Sequence, residues 1–322
     1  MPDPTHRHAP PDVGIRHALP QVAAIRPLLE VLLTGPFKGA ATKASCAAIH
    51  APGELITVDL PPIPKSLMDE YVRWTTGQRN VIHDTVPLHL FPQWCSPPAI
   101  KAISKTLPFS LAAVLNQGCR LEMHGSLPVG EPIQVTAQLL ELVQESSRVR
   151  ITTKITTGTR RTGPVCTAFY YSVIKTKQSK EKTNEEPTKG QEKMPASVPA
   201  SATCVAEHTL KHNSGRHYAY LSGDFNPIHS SAFMAKLSGF KSTILQGFAQ
   251  MALMHAALIR SRCGDDPRRL RVLDVRFVSP LVLPNTLAVH LDGEDVYVTN
   301  ATGTVTMTGR FETGDVLVKS KL

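Results

Sequence analysis

The chain has 322 residues, of which 42% are hydrophobic, and a formal net charge of +9. This length is sufficient for two domains that each bury a core, and no apolar run reaches the roughly 18 residues of a membrane-spanning helix. The six cysteines are scattered without a CxxC pair, which indicates reduced intracellular thiols and excludes the spacing of a zinc site or disulfide framework. The charge suits an anionic ligand. No basic helix or aromatic-basic pattern indicates a nucleic-acid-binding protein.

Residues 1–54 are expected to be a tail with a short helical lead-in. Residues 1–20 are rich in proline and histidine and contain no secretory apolar region, so this part is predicted to be flexible. A short helix interrupted by Pro27 is expected over residues 22–33.

Residues 55–175 are predicted to form a first domain. Its helix is expected within residues 94–107, where Pro97 and Pro98 suit a helix start. After residue 120 the apolar residues alternate as they do in strands. The predicted strand segments are 121–137, which includes Leu127 and Val129, then 149–155 and 168–174.

A linker and a second domain follow. Residues 176–203 are charged and then rich in Pro, Ala and Ser, so they cannot bury enough apolar surface to order themselves. Residues 204–322 repeat the order of loop, helix and strands. Apolar positions of this second domain match positions 154 residues earlier: Val275 with Leu121, Phe277 with Met123, Leu281 with Leu127, Leu287 with Ile133, and Val289 with Val135.

The candidate functional residues are concentrated in the second domain. Gly223–His229 reads GDFNPIH, and its glycine and Asn-Pro pair favour a turn in which Asp224 and His229 point into a common space. A carboxylate beside an imidazole suits proton transfer. The alternative for such a pair is purely structural, with Asp224 capping a backbone N–H group and His229 packed on the surface.

A helix is predicted to begin at Gly247. The segment 249–259 is strongly apolar and consists mostly of good helix formers. The start of a helix presents N–H groups without intrahelical acceptors and the positive end of the dipole. The Gly247 N–H group is therefore placed to stabilise an oxygen that gains negative charge.

Together these residues resemble the MaoC-like, or R-specific, enoyl-CoA hydratases. The family pattern is an aromatic residue, then Leu-Ser-Gly-Asp-x-Asn-Pro-hydrophobic-His, then a glycine at the start of a long helix. Tyr218, Leu221–His229 and Gly247 match it. Gln246 departs from it, since the family often has histidine before the glycine. The resemblance implies an α+β fold of two hot-dog domains, each a sheet wrapped around a helix.

The resemblance also implies the chemistry. Asp224 and His229 would activate the water that hydrates a trans-2-enoyl-CoA to the (3R)-3-hydroxyacyl-CoA, and the Gly247 N–H would stabilise the thioester oxygen. Asn226, Gln246 and Phe248 are expected to bind substrate. No metal or further cofactor is implied, since coenzyme A is part of the substrate. The first domain lacks the complete motif and is expected to be degenerate, shaping the acyl-binding space, which leaves one active site per chain.

Two alternative functions remain open. The first is a (3R)-3-hydroxyacyl-carrier-protein dehydratase of fatty-acid synthesis, and the second is a non-catalytic module that binds acyl thioesters. A homodimer is also compatible with the sequence. His255 on the apolar helix is expected to be a core residue, and Lys211 and Arg216 to be solvated charges. His83, Asp84 and His89 lie in the matching region of the first domain but lack the turn residues of a catalytic pair.

The sequence ends in Ser320, Lys321 and Leu322. A carboxyl-terminal Ser-Lys-Leu is an address read by the peroxisomal import receptor. In a eukaryote the protein is therefore expected in peroxisomes, and in a bacterium in the cytoplasm.

Overall fold

The computed structural model describes residues 5–18, 51–78, 84–106, 114–145, 148–175 and 197–315. Its helices are α1 Lys65–Thr76, α2 Pro92–Thr106, α3 Ser214–Ser222, α4 Ala232–Leu237 and α5 Gly247–Arg262. Its strands are β1 His6–His8, β2 Ile56–Leu60, β3 Val114–Met123, β4 Ile133–Gln144, β5 Arg148–Thr159, β6 Gly163–Lys175, β7 Thr203–Leu210, β8 Ile244–Leu245, β9 Leu270–Phe277, β10 Leu281–Val282, β11 Asn285–Asp292, β12 Asp295–Thr299 and β13 Val305–Thr313. None of the described helices is long and apolar enough to cross a membrane.

Eleven of these strands form one sheet in the order β1-β7-β11-β12-β13-β9-β3-β6-β5-β4-β2. Reading outward from the centre, the first half of the chain gives β3-β6-β5-β4-β2 and the second half gives β9-β13-β12-β11-β7. Each half therefore has the same strand order, and the two halves meet where β3 pairs antiparallel with β9, with Leu121 opposite Leu273. This arrangement confirms the predicted repeat and the double hot-dog architecture.

Helices α2 and α5 are the long helices of the two halves. Nine of the sixteen residues of α5 are buried, on several sides of the helix, as expected for a helix enclosed by a sheet rather than lying on its surface. Buried apolar side chains from both halves form one continuous core that includes Trp94 and Met251. The segment predicted to be helical in the second domain is therefore the helix around which its sheet is wrapped.

The amino-terminal segment differs from the predicted flexible tail. His6–His8 form β1, which pairs in parallel with β7, His6 lying opposite Ala206. Asp12 then accepts from Lys211 Nζ at 3.1 Å and lies 3.5 Å from Nδ1 of His217. Strand pairing uses backbone groups, so it requires no apolar periodicity. The predicted helix over residues 22–33 and most of the predicted linker lie outside the described residues.

Two further boundaries were predicted wrongly. Helix α2 begins at Pro92, and Pro97 and Pro98 lie inside it. A proline inside a helix lacks one N–H···O bond but does not end the helix when the remaining residues are well packed, and Trp94 and Cys95 are each 1% exposed. Leu127 and Val129 lie in the connection between β3 and β4, where Thr85 and Pro128 form an isolated bridge.

Candidate active site

The turn that contains the predicted pair begins where α3 ends. Gly223 caps this helix with a left-handed backbone, φ 78°, and donates its N–H group to the Ala219 carbonyl at 2.9 Å. Glycine adopts this conformation without the steric cost of a Cβ atom. The chain consequently turns away from the axis of α3 at Asp224, which lies at the surface of the second half.

Asp224 and His229 come together as predicted. Oδ2 of Asp224 lies 3.7 Å from Nε2 of His229, and the Asp224 side chain is 40% exposed whereas that of His229 is 10% exposed. This separation exceeds that of a direct hydrogen bond. One polar atom of a reactant can therefore contact both groups.

The hydrogen bond on the other side of the imidazole fixes the orientation of His229. Nδ1 of His229 lies 2.8 Å from the carbonyl oxygen of Ile244. Because a carbonyl only accepts, Nδ1 carries the proton. In the neutral ring Nε2 then has the free lone pair, and this is the nitrogen that faces Asp224.

Asn226 stabilises the turn itself. Its exposed side chain accepts from the Ile228 N–H group at 3.3 Å and caps the short helical turn Pro227–His229. Asp224 Oδ1 accepts in the same way from the Asn226 N–H at 3.3 Å. The described contacts of Asn226 are therefore within the loop, and its substrate contact remains a prediction.

Gln246 connects the turn to α3 through hydrogen bonds to backbone carbonyl groups. Its side chain is 1% exposed, and Nε2 donates to the carbonyl oxygens of Gly215 at 2.9 Å and Asp224 at 3.5 Å. Gly215 in turn approaches His229 closely, since a Cβ atom at this position would lie 2.5 Å from the His229 carbonyl oxygen. Sequence reasoning did not detect this network, because backbone carbonyls leave no residue-type signal.

Gly247 is the first residue of α5, as predicted, and Gln246 precedes it as the cap. A Cβ atom at Gly247 would lie 2.5 Å from the Phe277 ring, a contact that real side chains do not make. The glycine is therefore required for the close approach of this ring. The predicted role of its N–H group in catalysis is not tested by these contacts.

Phe248 contacts aromatic rings of both halves. Its ring centroid lies 5.3 Å from Phe91, 5.2 Å from Tyr170 and 5.7 Å from Phe277. These four rings, which we call the aromatic cluster, lie beside Gly247 at the start of α5. Phe248 thus joins the two halves, and its predicted contact with substrate remains a prediction.

Two further residues bear on the site. Tyr218 is fully buried, and burial, followed by the negative charge of Asp224, raises its pKa, so the phenol stays protonated close to the pair. His255 is buried as predicted, 1% exposed, on the apolar helix. His83 and Ser320–Leu322 lie outside the described residues.

Comparison with known proteins supports this fold. Residues 187–314 match the family model of the MaoC like domain. Enoyl-CoA hydratase 2, peroxisomal, of Arabidopsis thaliana is 35% identical over 71 residues, which are 22% of this chain and 23% of that protein. The 3-hydroxyacyl-thioester dehydratase X of Mycobacterium tuberculosis is 26% identical over 245 residues, 74% of this chain and 80% of that one. This chain therefore matches less than a quarter of the length of the Arabidopsis thaliana protein.

Among solved structures, a MaoC-like dehydratase from Phytophthora capsici superposes with a TM-score of 0.66 at 20% identity, covering 85% of this chain and 98% of that one. The strand order and this superposition show a double hot-dog fold. Residues 187–314 of the chain match the MaoC like domain.

Proposed function

We propose that the protein is a hydro-lyase that hydrates a trans-2-enoyl-CoA reversibly to the (3R)-3-hydroxyacyl-CoA. The observation on which this depends is the pairing of Asp224 with the free Nε2 of His229, 3.7 Å apart, with Nδ1 occupied by the Ile244 carbonyl. The names of the relatives, an enoyl-CoA hydratase 2 and a 3-hydroxyacyl-thioester dehydratase, support the same reaction class.

In this proposal one water molecule lies between the two side chains. Asp224, as a carboxylate, accepts a hydrogen bond from one O–H and orients the water. Nε2 of His229 takes the other proton while the water oxygen bonds to Cβ of the enoyl group. The electrons of the double bond move towards Cα, and the imidazolium returns its proton to Cα. The water has then supplied a hydroxyl group to Cβ and a hydrogen to Cα.

The thioester oxygen gains negative charge when the electrons move towards Cα. The N–H group of Gly247 lies at the start of α5, where backbone donors lack intrahelical acceptors, and it is our candidate for stabilising that oxygen. A donor of this kind typically lowers a barrier by about 3 kcal/mol. The Ile244–Gly247 segment connects this donor to the pair, because Ile244 accepts from His229 and Gln246 donates to Asp224.

A second enzymatic function uses the same geometry in reverse. A (3R)-3-hydroxyacyl-carrier-protein dehydratase would need the same carboxylate, imidazole and backbone donor. A passive thioester-binding module would not need the tautomer that the Ile244 carbonyl imposes on His229, and this disfavours it. Since some relatives are named as peroxisomal enzymes, we also propose a peroxisomal location.

The test is a hydration assay with trans-2-enoyl thioesters of increasing chain length, attached either to coenzyme A or to a carrier protein. We expect (3R)-3-hydroxyacyl product and faster turnover of the coenzyme A thioesters. Faster turnover of carrier-protein thioesters would favour the dehydratase. Binding of every thioester without any product would contradict both enzymatic functions.

A further inference from the structure

The first half of the chain contains a degenerate copy of the motif. Gly77–His83 reads GQRNVIH, and it shares Gly, Asn, Ile and His in register with GDFNPIH of Gly223–His229. The two glycines have the same structural role: Gly77 caps α1 with φ 76° and donates to the Arg73 carbonyl at 3.0 Å. Residues 79–83 of this copy lie outside the described part.

This copy has lost the groups that the proposed reaction needs. Gln78 follows Gly77 where Asp224 follows Gly223, and an amide lacks the negative charge with which the carboxylate would orient the water. Helix α2 begins with Pro92 as α5 begins with Gly247, and proline has no N–H group. The first half is therefore unsuited to hydration by the proposed mechanism on both counts.

A cavity of about 1140 Å³ nevertheless lies between the two halves of the chain. Gln78 and Asp84, the described residues on either side of the copy, line it, and the second half contributes residues from the end of α5 and from the chain before β9. The lining includes none of Asp224, His229, Gln246 and Gly247, and none of the aromatic cluster. The described lining is therefore separate from the proposed active site.

The wall of the cavity combines apolar and polar side chains. Its apolar lining residues include Val72, Val86, Leu88, Met123, Ile259 and Leu270. Two buried polar side chains, His208 and His255, also line it, each 1% exposed and each with both ring nitrogens lacking a hydrogen-bond partner in the described chain. A buried polar group without a partner is costly.

The charge of the lining is weakly positive. It contains four arginines and three aspartates. Arg268 is paired with Asp266 at 2.8 Å, whereas Arg260 contacts the His6 ring at 3.0 Å and Arg271 donates to the Asp315 carbonyl. Neither Arg260 nor Arg271 forms an ion pair with a carboxylate in the described part of the chain. These two guanidinium groups are available to an anionic head group.

We propose that this cavity is a second, non-catalytic binding site for a fatty acyl chain with an anionic head, derived from the lost active site of the first half. The apolar side chains of the wall would bind the chain, and Arg260 and Arg271 would bind the head. The head could be the carboxylate of a free fatty acid or the phosphates of an acyl-CoA. The small net charge of the lining favours the singly charged carboxylate.

The probes are hexadecanoate, hexadecanoyl-CoA and coenzyme A alone, titrated into the full chain by calorimetry. Hexadecanoate is expected to bind one site per chain without displacement by crotonyl-CoA. In the double variant Arg260→Gln/Arg271→Gln the affinity for hexadecanoate should fall about tenfold, because the charge-assisted contacts with its carboxylate are lost. The control is the double variant Arg160→Gln/Arg310→Gln. The side chains of these two arginines are 83% and 72% exposed and do not line the cavity. The control variant should bind hexadecanoate as the natural chain does.

A second variant tests the apolar part. Thr76 lines the cavity at the end of α1, and Thr76→Trp should fill the space and abolish hexadecanoate binding. Equal binding by the arginine variant and its control, or by Thr76→Trp and the natural chain, would overturn the proposal. Displacement of hexadecanoate by crotonyl-CoA would also overturn it, since the chain would then occupy the proposed active site. Hydration rates of crotonyl-CoA, measured in parallel, test the proposed function separately.

Discussion

Nδ1 of His229 lies 2.8 Å from the carbonyl oxygen of Ile244, fifteen residues later in the chain. This single contact determines which nitrogen of the ring faces Asp224. It also connects the turn after α3 to the segment that leads into α5, so the geometry of the pair depends on the position of the central helix.

The first prediction concerns the tautomer of His229. At neutral pH the uncharged ring should be protonated at Nδ1, because the Ile244 carbonyl can only accept. Long-range ¹H–¹⁵N correlation spectra of ¹⁵N-histidine-labelled protein distinguish the two tautomers, and His229→Gln identifies the signal. A spectrum with the proton on Nε2 would mean that His229 cannot act as the base in the way proposed.

Gln246 is predicted to position the turn that contains Asp224 and His229. Gln246→Leu leaves the buried Gly215 carbonyl without its donor, which should destabilise the protein by about 1–3 kcal/mol. The turn would also loosen, so kcat should fall more than KM changes. The control for replacing glutamine by leucine is Gln134→Leu. Gln134 is exposed and donates a hydrogen bond to Asp59 at 3.2 Å. Chemical unfolding and steady-state kinetics measure the two effects, and unchanged stability would contradict the contact.

Gly247→Ala should destabilise the protein although alanine is the better helix former. The added Cβ atom would lie 2.5 Å from the Phe277 ring, and overpacking of this kind costs about 1–3 kcal/mol. Phe277→Leu should recover part of the loss in the double variant, because it removes the ring. Thermal unfolding of the four proteins gives the coupling energy, and simple additivity of the two substitutions would contradict the clash.

Stability is predicted to fall in mild acid. Burial, followed for His208 by the charges of His8 and His6, lowers the pKa of His208 and His255 to about 3. In the unfolded chain both titrate near 6.5, so below that pH the unfolded state binds more protons. Stability is therefore complete above about pH 6.5 and decreases towards pH 3, by up to about 1.4 kcal/mol per pH unit for each group.

His255→Phe keeps a ring beside His89, on which His255 stacks at 4.0 Å, and removes one titrating group. The slope of unfolding free energy against pH between about 6.5 and 4 should then decrease. The exposed His212 provides the control, and His212→Gln should leave the slope unchanged. An unchanged slope in His255→Phe would mean that His255 is not held neutral.

The sequence was sufficient to predict the features that depend on residue type. Gly223, Pro227 and the apolar helix formers after Gly247 have specific backbone consequences, so the turn and the start of α5 were predicted correctly. The partner of His229 could not be predicted, because the Ile244 carbonyl is a backbone group brought near by tertiary structure. The pairing of His6–His8 with β7 is also a backbone interaction without an apolar pattern.

Other features could have been recognised from the sequence. The degenerate copy at Gly77–His83 differs from the motif at Asp224, Phe225 and Pro227, and Asp224 and Pro227 are residues by which the motif is found. An alignment of the two halves at their glycines reveals the copy. The sequence does not reveal the start of α2 at Pro92, because Pro97 and Pro98 are typical of the first turn of a helix but lie inside this one. Tertiary packing of Trp94 and Cys95 compensates for the backbone bonds that these prolines cannot make.

The most direct test of the proposed reaction is the hydration rate of crotonyl-CoA by Asp224→Asn. The substitution preserves shape at a side chain that is 40% exposed, so folding and thioester binding should be retained. It removes the negative charge that orients the water, and we predict that kcat falls by about 10²–10⁴, the range for loss of a positioned acid-base group. Asp59→Asn, at a carboxylate that is 54% exposed and paired with Arg160, should retain normal kcat. A normal kcat in Asp224→Asn would contradict the catalytic role of the pair.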